Sequence, residues 1–235
     1  MQNEGYLQSC MIAFRLQSCI RIMNIERGRK MEKQLATERI EHKANIFKTL
    51  SMLFKQPDSD IEYYIEHLKI SVEALYPHLT KHIIQLEQEF MKFKQNITVL
   101  KAVHAKLFIG PFDVLAPPYS SIYLHEGRNV YGESTYDAMK MYSEAGVAMA
   151  KEFKDLPDHI SVELEFIYYL YFLYREKNEQ QHLRQISHFI DKHLIRWVPL
   201  FAKKIIEENT SQFYLALANA LNEIISSESS DMQMN

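Results

Sequence analysis

Residues 155–177 read DLPDHISVELEFIYYLYFLYREK and contain the most apolar run of the chain. Within them Ile160, Leu164, Ile167 and Tyr171 recur at spacings of three and four residues, which places these side chains on one face of a helix. The acidic residues and the proline that come before this face are typical of the first turn of a helix. The stretch therefore predicts a long helix with an apolar face that packs into a protein core.

The same periodicity continues on both sides of this helix. It predicts helices over 31–54, 58–75, 78–94, 96–109 and 134–153 before it, and over 179–193, 199–208 and 211–225 after it. Between 110 and 132 the pattern changes to Gly-Pro, Pro-Pro and aromatic residues, and an ordered loop of that length is usually functional. We predict an all-α fold, a single globular helical domain of about nine helices with this long ordered loop between its N- and C-terminal halves.

The two ends of the chain do not follow this pattern. Residues 1–30 carry the near-repeat Leu-Gln-Ser-Cys and then the basic run 27–30, so we expect a disordered segment or a non-native leader. Residues 226–235 are rich in serine and are expected to form a disordered tail. The helical domain is therefore predicted to span 31–225.

Composition excludes several classes of protein. The net charge is −3, with 27 basic and 30 acidic residues, so the basic surplus of a nucleic-acid-binding protein is missing. The longest apolar stretch, 166–174, is too short for a membrane span. Both cysteines, Cys10 and Cys19, lie in the first segment, and arginines interrupt any secretory signal there. We expect a soluble, cytoplasmic protein.

Motifs for catalysis, cofactors and metals are missing from the sequence. The six glycines form neither a dinucleotide-binding fingerprint nor a phosphate loop. His78 and His82 have a metal-ligand spacing, but without the glutamate of a zinc protease, and Glu179 with His182 is a single Glu-x-x-His motif where a di-iron bundle needs two. We predict no catalytic residues, no metal and no cofactor.

Two patterns are left with more than one interpretation. In the stretch 155–159, helix capping explains Asp155 and Asp158, but it does not require His159, or Glu163 one turn later on the same face. In the helix 96–109, one stripe contains Leu100, His104, Leu107 and Phe108. Such a stripe either packs in a core or lines a binding groove, and the residues alone leave both interpretations open.

Taken together and in order, these stretches resemble the TorD/DmsD family of redox-enzyme maturation chaperones. The first block is HAKLFIGP at 104–111, followed by PPYSSIYL at 117–124 and YGES at 131–134. The second is PDHISVELEF at 157–166, similar to the family's Asp-His motif followed by Glu-Leu-Glu-Phe. A third, FIDKHL at 189–194, precedes Trp197 and Pro199. The resemblance covers roughly residues 31–225.

This resemblance implies an all-helical chaperone without enzymatic turnover. Its partners would be the twin-arginine leader and the apo form of a DMSO-reductase-family molybdoenzyme, held until the molybdopterin cofactor is inserted. The family's aromatic-x-x-Leu-Phe motif falls on His104, Leu107 and Phe108, and its Asp-His pair on Asp158 and His159. Two positions depart from the family pattern: His104 stands where an aromatic residue is usual, and Leu156 takes the usual place of the proline, which is displaced to 157.

A leader with two guanidinium groups and an apolar stretch needs carboxylates beside a hydrophobic groove. We therefore expect a signal-peptide-binding site of seven residues: His104, Leu107, Phe108, Tyr119, Asp158, His159 and Glu163. In this hypothesis Asp158 pairs with an arginine, Tyr119 lines the apolar part, and the charge of His159 near pH 6–7 tunes affinity.

Other functions stay open beside this one. One is a NarJ-like assembly factor for a reductase that is not exported, and another is a GTP-binding regulator of the same pathway. The resemblance is compatible with a monomer or with a domain-swapped dimer. The client enzyme is not named by the sequence.

Overall fold

A computed structural model describes residues 4–110, 114–124, 130–148 and 155–233 of the chain. It divides into two compact units, 1–40 and 41–235. The ten α-helices found in the described part are α1 (Glu4–Phe54), α2 (Ile61–Leu75), α3 (Thr80–Met91), α4 (Ile97–His104), α5 (Ser120–Leu124), α6 (Glu133–Glu144), α7 (Ile160–Lys177), α8 (Gln180–Phe189), α9 (Ile195–Glu208) and α10 (Gln212–Gln233). A 3-10 turn, Pro77–Leu79, precedes α3, and no β-strand occurs in these ranges. The all-α prediction is confirmed.

Helix α10 lies at the centre of the second unit. Nine of its thirteen residues from 213 to 225 are buried apolar side chains, including Phe213, Leu217, Leu221 and Ile225. A helix that is apolar on most of its circumference must be surrounded by other elements. Helices α3 and α9 pack on it, and α2 packs on α3 while α8 packs on α7. The core thus sits between the N-terminal and C-terminal helices.

Helix α10 also corrects the prediction of a disordered tail, because it continues without a break to Gln233. The reason is a buried polar network around Glu228, a residue with 0% of its surface exposed. The Nζ atom of Lys43 in α1 lies 2.6 Å from its Oε2, and the hydroxyls of Tyr76 and Tyr171 donate to the same carboxylate at 2.8 and 3.1 Å. Three groups from distant parts of the chain therefore hold the end of α10.

Three boundaries differ from the predicted ones. Residues 4–30, expected to be disordered or a leader, belong to α1, and whether they are native stays a prediction. The helix predicted over 134–153 ends at Glu144, because Gly146 adopts a φ of 74° and Val147 N donates to the carbonyl of Tyr142, the pattern of a Schellman cap. Its predicted last residue, Phe153, lies outside the described residues. The loop 110–132 contains the short helix α5.

Two of the helical regions contain a π-helical turn that the sequence analysis did not predict. Helix α4 ends at His104 and is followed by the π-helical turn Ala105–Ile109, closed by a hydrogen bond from Gly110 N to the carbonyl of Ala105. A second π-helical turn, Ile190–Leu194, joins α8 to α9, so Pro199 lies inside α9 and does not begin it. Turns of this kind are often found at functional sites. Both positions belong to blocks that the sequence analysis singled out.

Candidate functional site

The loop before α5 pairs with the turn before α7. Ile160 N donates to the carbonyl of Pro118 at 2.8 Å, and Ser120 N donates to the carbonyl of Asp158 at 3.0 Å. Between these two bonds, Tyr119 and His159 form an isolated antiparallel bridge. The segment PPYSS and the segment PDHIS, which are far apart in sequence, therefore form one structural unit, named here the 118–121/157–160 junction.

Asp158 lies at the centre of this junction with 0% of its surface exposed. Its Oδ2 accepts a hydrogen bond from Ser121 N at 3.0 Å, so the carboxylate caps α5 and not α7. The other oxygen, Oδ1, has no hydrogen-bond partner within the ranges that the structure describes. The carboxylate of Asp158 is therefore not accessible from the surface in this structure, and a leader arginine does not reach it without a rearrangement.

His159 takes the capping position that the sequence analysis gave to the acids. Its backbone is extended, and its Nδ1 accepts from Ser161 N at 3.1 Å in the first turn of α7. An Nδ1 that accepts carries no proton, so the neutral ring has its proton on Nε2, which lies 3.8 Å from Asp155 Oδ2. Burial lowers the pKa of His159 to about 4. The expectation that His159 changes charge near pH 6–7 is thus wrong.

Asp155 supplies the exposed carboxylate of the junction. Its side chain is 40% exposed, and its Oδ1 accepts hydrogen bonds from the hydroxyl of Tyr119 at 3.1 Å and from Leu156 N at 2.8 Å. The ring of Tyr119 meets that of His159 edge to face at 5.2 Å. Burial, and then the charge of Asp155, raise the pKa of the Tyr119 hydroxyl, which therefore stays a donor to the carboxylate. Oδ2 of Asp155 is held near the neutral His159.

Sequence reasoning left Asp155 out of the predicted site because it explained this residue as a helix cap. Asp155 could have been identified from its position in the sequence, because it lies four residues before His159 at the start of the motif.

Glu163 is buried one turn into α7 and binds two side chains of the C-terminal half. His193 Nε2 lies 2.6 Å from its Oε1, and Trp197 Nε1 donates to its Oε2 at 2.9 Å. The ring of Tyr123, in α5, stacks on Trp197 at 5.9 Å. Because 0% of Glu163 is exposed, its predicted peptide contact is replaced in this structure by a connection between α7 and the α8–α9 region.

His104, Leu107 and Phe108 lie in the core, so the packing interpretation of their stripe describes their position. The ring of Phe108 contacts those of His104 and Tyr214, both at 5.1 Å. His104 Nε2 lies 3.3 Å from the carbonyl of Phe54, and burial lowers the pKa of His104. A peptide role for these three residues stays a prediction.

The remaining expectations concern metals and membranes. His82 pairs with Glu223 at 3.1 Å, and no group of side chains in the described ranges could hold a metal ion. Among these ranges, no helix has both the length and the apolar character needed to cross a bilayer.

Comparisons with known proteins extend this description. A family profile described as the nitrate reductase delta subunit matches residues 67–203. The chaperone protein TorD of Photobacterium profundum is 33% identical over 152 residues, which are 58% of this chain and 70% of that protein. TorD of Vibrio parahaemolyticus is 28% identical over 126 residues, 52% of this chain and 59% of that protein. The names of these two relatives are those of chaperones and not of enzymes, as the sequence analysis expected.

A solved structure also resembles the fold. It is the crystal structure of a protein from Archaeoglobus fulgidus, proposed to be a redox enzyme maturation protein. It superposes with a TM-score of 0.51 at 26% identity, over 78% of this chain and 93% of that one. The profile covers more than half of the chain and includes the junction, Glu163 and His193. This chain therefore belongs to the family of the nitrate reductase delta subunit and the TorD chaperones.

Proposed function

We propose that this chain is a cytoplasmic maturation chaperone for a molybdopterin-containing oxidoreductase. It binds the twin-arginine leader and the immature body of that enzyme until cofactor insertion is complete. Family membership and the TorD names of its relatives support this function. The geometry of the junction supports the way in which the leader is bound.

The observation that carries the proposal is the fixed carboxylate of Asp155 at the surface. A guanidinium group pairs best with a carboxylate whose orientation is already set, since less conformational freedom is then lost on binding. Tyr119 and Leu156 N fix one oxygen of Asp155, and the second lies 3.8 Å from Nε2 of the neutral His159, on a side chain that is 40% exposed. Because His159 is neutral at physiological pH, it does not compete with the arginine for this carboxylate.

The seven predicted residues then take two kinds of role. Tyr119 touches the leader beside the arginine. Asp158 and His159 position the two segments of the junction, and Glu163 holds the helix behind them. His104, Leu107 and Phe108 support the same region from the core.

Isothermal titration calorimetry tests this assignment. The ligand is the twin-arginine leader of the reductase whose gene lies beside the gene for this chain. We expect Asp155→Asn to weaken binding by about tenfold or more, the size of a lost charge-assisted pair. Asp58→Asn is the matched control, because Asp58 is also an exposed loop aspartate that accepts a backbone N–H, here from Asp60 at 2.9 Å. Equal affinities for Asp155→Asn and the control variant contradict the assignment.

One observation favours a second function. The family profile is described as the nitrate reductase delta subunit, which suits an assembly factor for a reductase that is not exported. The two functions differ in the peptide that is bound. Replacing both leader arginines with alanine abolishes binding in the first function, whereas the assembly factor binds an enzyme N-terminus that lacks the arginine pair. GTP binding and the oligomeric state stay predictions.

A further inference from the structure

A second surface lies on the helical pair α2–α3, outside the junction. Between the two helices is a groove of about 450 Å³, lined by Glu62, Ile65, Glu66, Lys69, Ile70, Glu73, Glu87, Phe90 and Met91. Ile65 and Phe90 form its buried floor. The proposed function uses none of these residues, so the groove requires an explanation of its own.

The rim of the groove is apolar as well as acidic. Ile70 on α2 and Met91 on α3 are 50% and 55% exposed, so two large apolar side chains stand uncovered at the edge of the groove. These side chains give the groove an uncovered apolar surface between its carboxylates.

The charges of the groove are only partly neutralised. Lys69 Nζ bridges the two helices to Glu87 at 2.8 Å, and Lys94 Nζ lies 2.6 Å from Glu62. Glu66 and Glu73 form no salt bridge with any other described residue. Four glutamates line the groove against one lysine, Lys69, so the groove carries an excess of negative charge, with Glu66 and Glu73 on either side of the exposed Ile70 along α2.

We propose that this groove binds a cationic amphipathic helix of a partner protein. A groove between two antiparallel helices accepts a third helix whose apolar face fills it. The glutamates of α2 follow each other at four and then seven residues, about 6 and 10.5 Å along the axis. A partner helix with basic side chains at the same spacings places them opposite Glu62, Glu66 and Glu73 while its apolar residues cover Ile70 and Met91. An anionic membrane or a nucleic acid is repelled by the same carboxylates.

Fluorescence anisotropy with a model peptide tests this inference. The probe is a labelled helix of leucine, alanine and lysine, as long as α2, with lysines spaced four and seven residues apart. The control peptide has glutamate in place of each lysine. We expect the full chain to bind the lysine peptide and not the glutamate peptide. We also expect Glu66→Lys with Glu73→Lys to weaken binding by about tenfold or more, because each attraction becomes a repulsion.

A matched variant separates the groove from the overall charge. Glu176→Lys with Glu207→Lys makes the same change of net charge on α7 and α9, and we expect it to change the affinity by less than about twofold. Ile70→Ser with Met91→Ser, both at exposed positions, should lower the affinity even at high salt. If the two lysine variants weaken binding equally, the attraction is non-specific and the proposal is wrong.

Two further results bear on the occupant. We expect Asp155→Asn to bind the lysine peptide as the unaltered chain does, since this inference does not rest on the proposed function. If the unbound chain self-associates in sedimentation experiments, and Glu66→Lys with Glu73→Lys abolishes that association, the groove is filled by a second copy and the proposal is overturned.

Discussion

Glu163 and His193 lie 2.6 Å apart, Oε1 to Nε2, with almost none of either side chain exposed. Burial by itself lowers the pKa of His193, but the charge of Glu163 and its hydrogen bond outweigh this effect and raise it. Burial raises the pKa of Glu163, against the effects of His193 and Trp197. Both oxygens of Glu163 accept from an N–H group, which stabilises its ionised form, and the raised pKa of His193 favours a charged ring beside it.

Removing Glu163 should destabilise the protein strongly. Glu163→Ala leaves His193 and the Trp197 N–H buried without a partner, and losing one partner of a buried pair typically costs about 3–5 kcal/mol. Urea unfolding measures this difference in the free energy of unfolding.

Glu165 provides the control, because it lies on the same helix and pairs with Lys55 at the surface. Glu165→Ala should change the free energy of unfolding by less than about 1 kcal/mol. Equal effects of the two substitutions would show that the buried pair adds nothing beyond a surface one.

The end of α10 gives a second prediction. A chain shortened after Ile225 loses Glu228 and Asp231, the two carboxylates that pair with Lys43, and leaves this lysine without a counter-ion there. We expect it to be less stable by about 3–5 kcal/mol, whereas a chain shortened after Met232 keeps most of its stability. Thermal and urea unfolding of both chains, monitored by circular dichroism, measure the difference.

A second substitution identifies the cause of this loss. In the chain shortened after Ile225, Lys43→Met removes the unpaired charge and should recover part of the stability. If it recovers none, the loss comes from the missing helical turns and not from the ion pair.

The acid stability of the protein should depend on His159. Its pKa is about 4 in the folded chain and 6.5 in the unfolded one, so the unfolded state binds the proton more readily. The free energy of unfolding is therefore highest above about pH 6.5 and falls by up to about 3 kcal/mol as the pH drops towards 4.

Unfolding experiments at several pH values test this dependence. His159→Asn keeps an acceptor for Ser161 N but does not titrate, so its free energy of unfolding should decline less between pH 6.5 and 4. Parallel profiles for the two proteins would assign the acid sensitivity to other groups.

The helices of this fold could be predicted because their information is local. Apolar spacing locates α7 and the end of α1 at Phe54 with little error. The tail is different, because Glu228 and its serine neighbours have the composition of a disordered segment. Its partners Lys43, Tyr76 and Tyr171 give the carboxylate a reason to be buried, and Lys43 lies 185 positions away. A periodicity of a few residues carries no information about such a distant pair.

The candidate site also depends on contacts between residues that are far apart in sequence. The motif at 155–159 stands out in the sequence, but capping rules assign its acids to the helix that follows them. The structure uses Asp158 for Ser121, 37 positions earlier, and leaves Asp155 at the surface. Which of two neighbouring carboxylates is exposed depends on how the loop 118–121 folds back, and no local pattern encodes this.

Substitutions of Asp155 and Asp158 should therefore differ in their effect on the affinity for the leader. Asp158→Asn keeps an oxygen for Ser121 N and leaves Asp155 in place, so we expect leader affinity to change by less than about twofold. Asp155→Asn removes the surface charge, and we expect affinity to fall by about tenfold with the free energy of unfolding unchanged within about 0.5 kcal/mol. Calorimetry and urea unfolding on both variants distinguish a residue that contacts the leader from one that positions the junction. The reverse order, with Asp158→Asn losing the leader and Asp155→Asn keeping it, means that the junction opens on binding and that the buried carboxylate, whose Oδ1 lacks a partner among the described residues, receives the arginine.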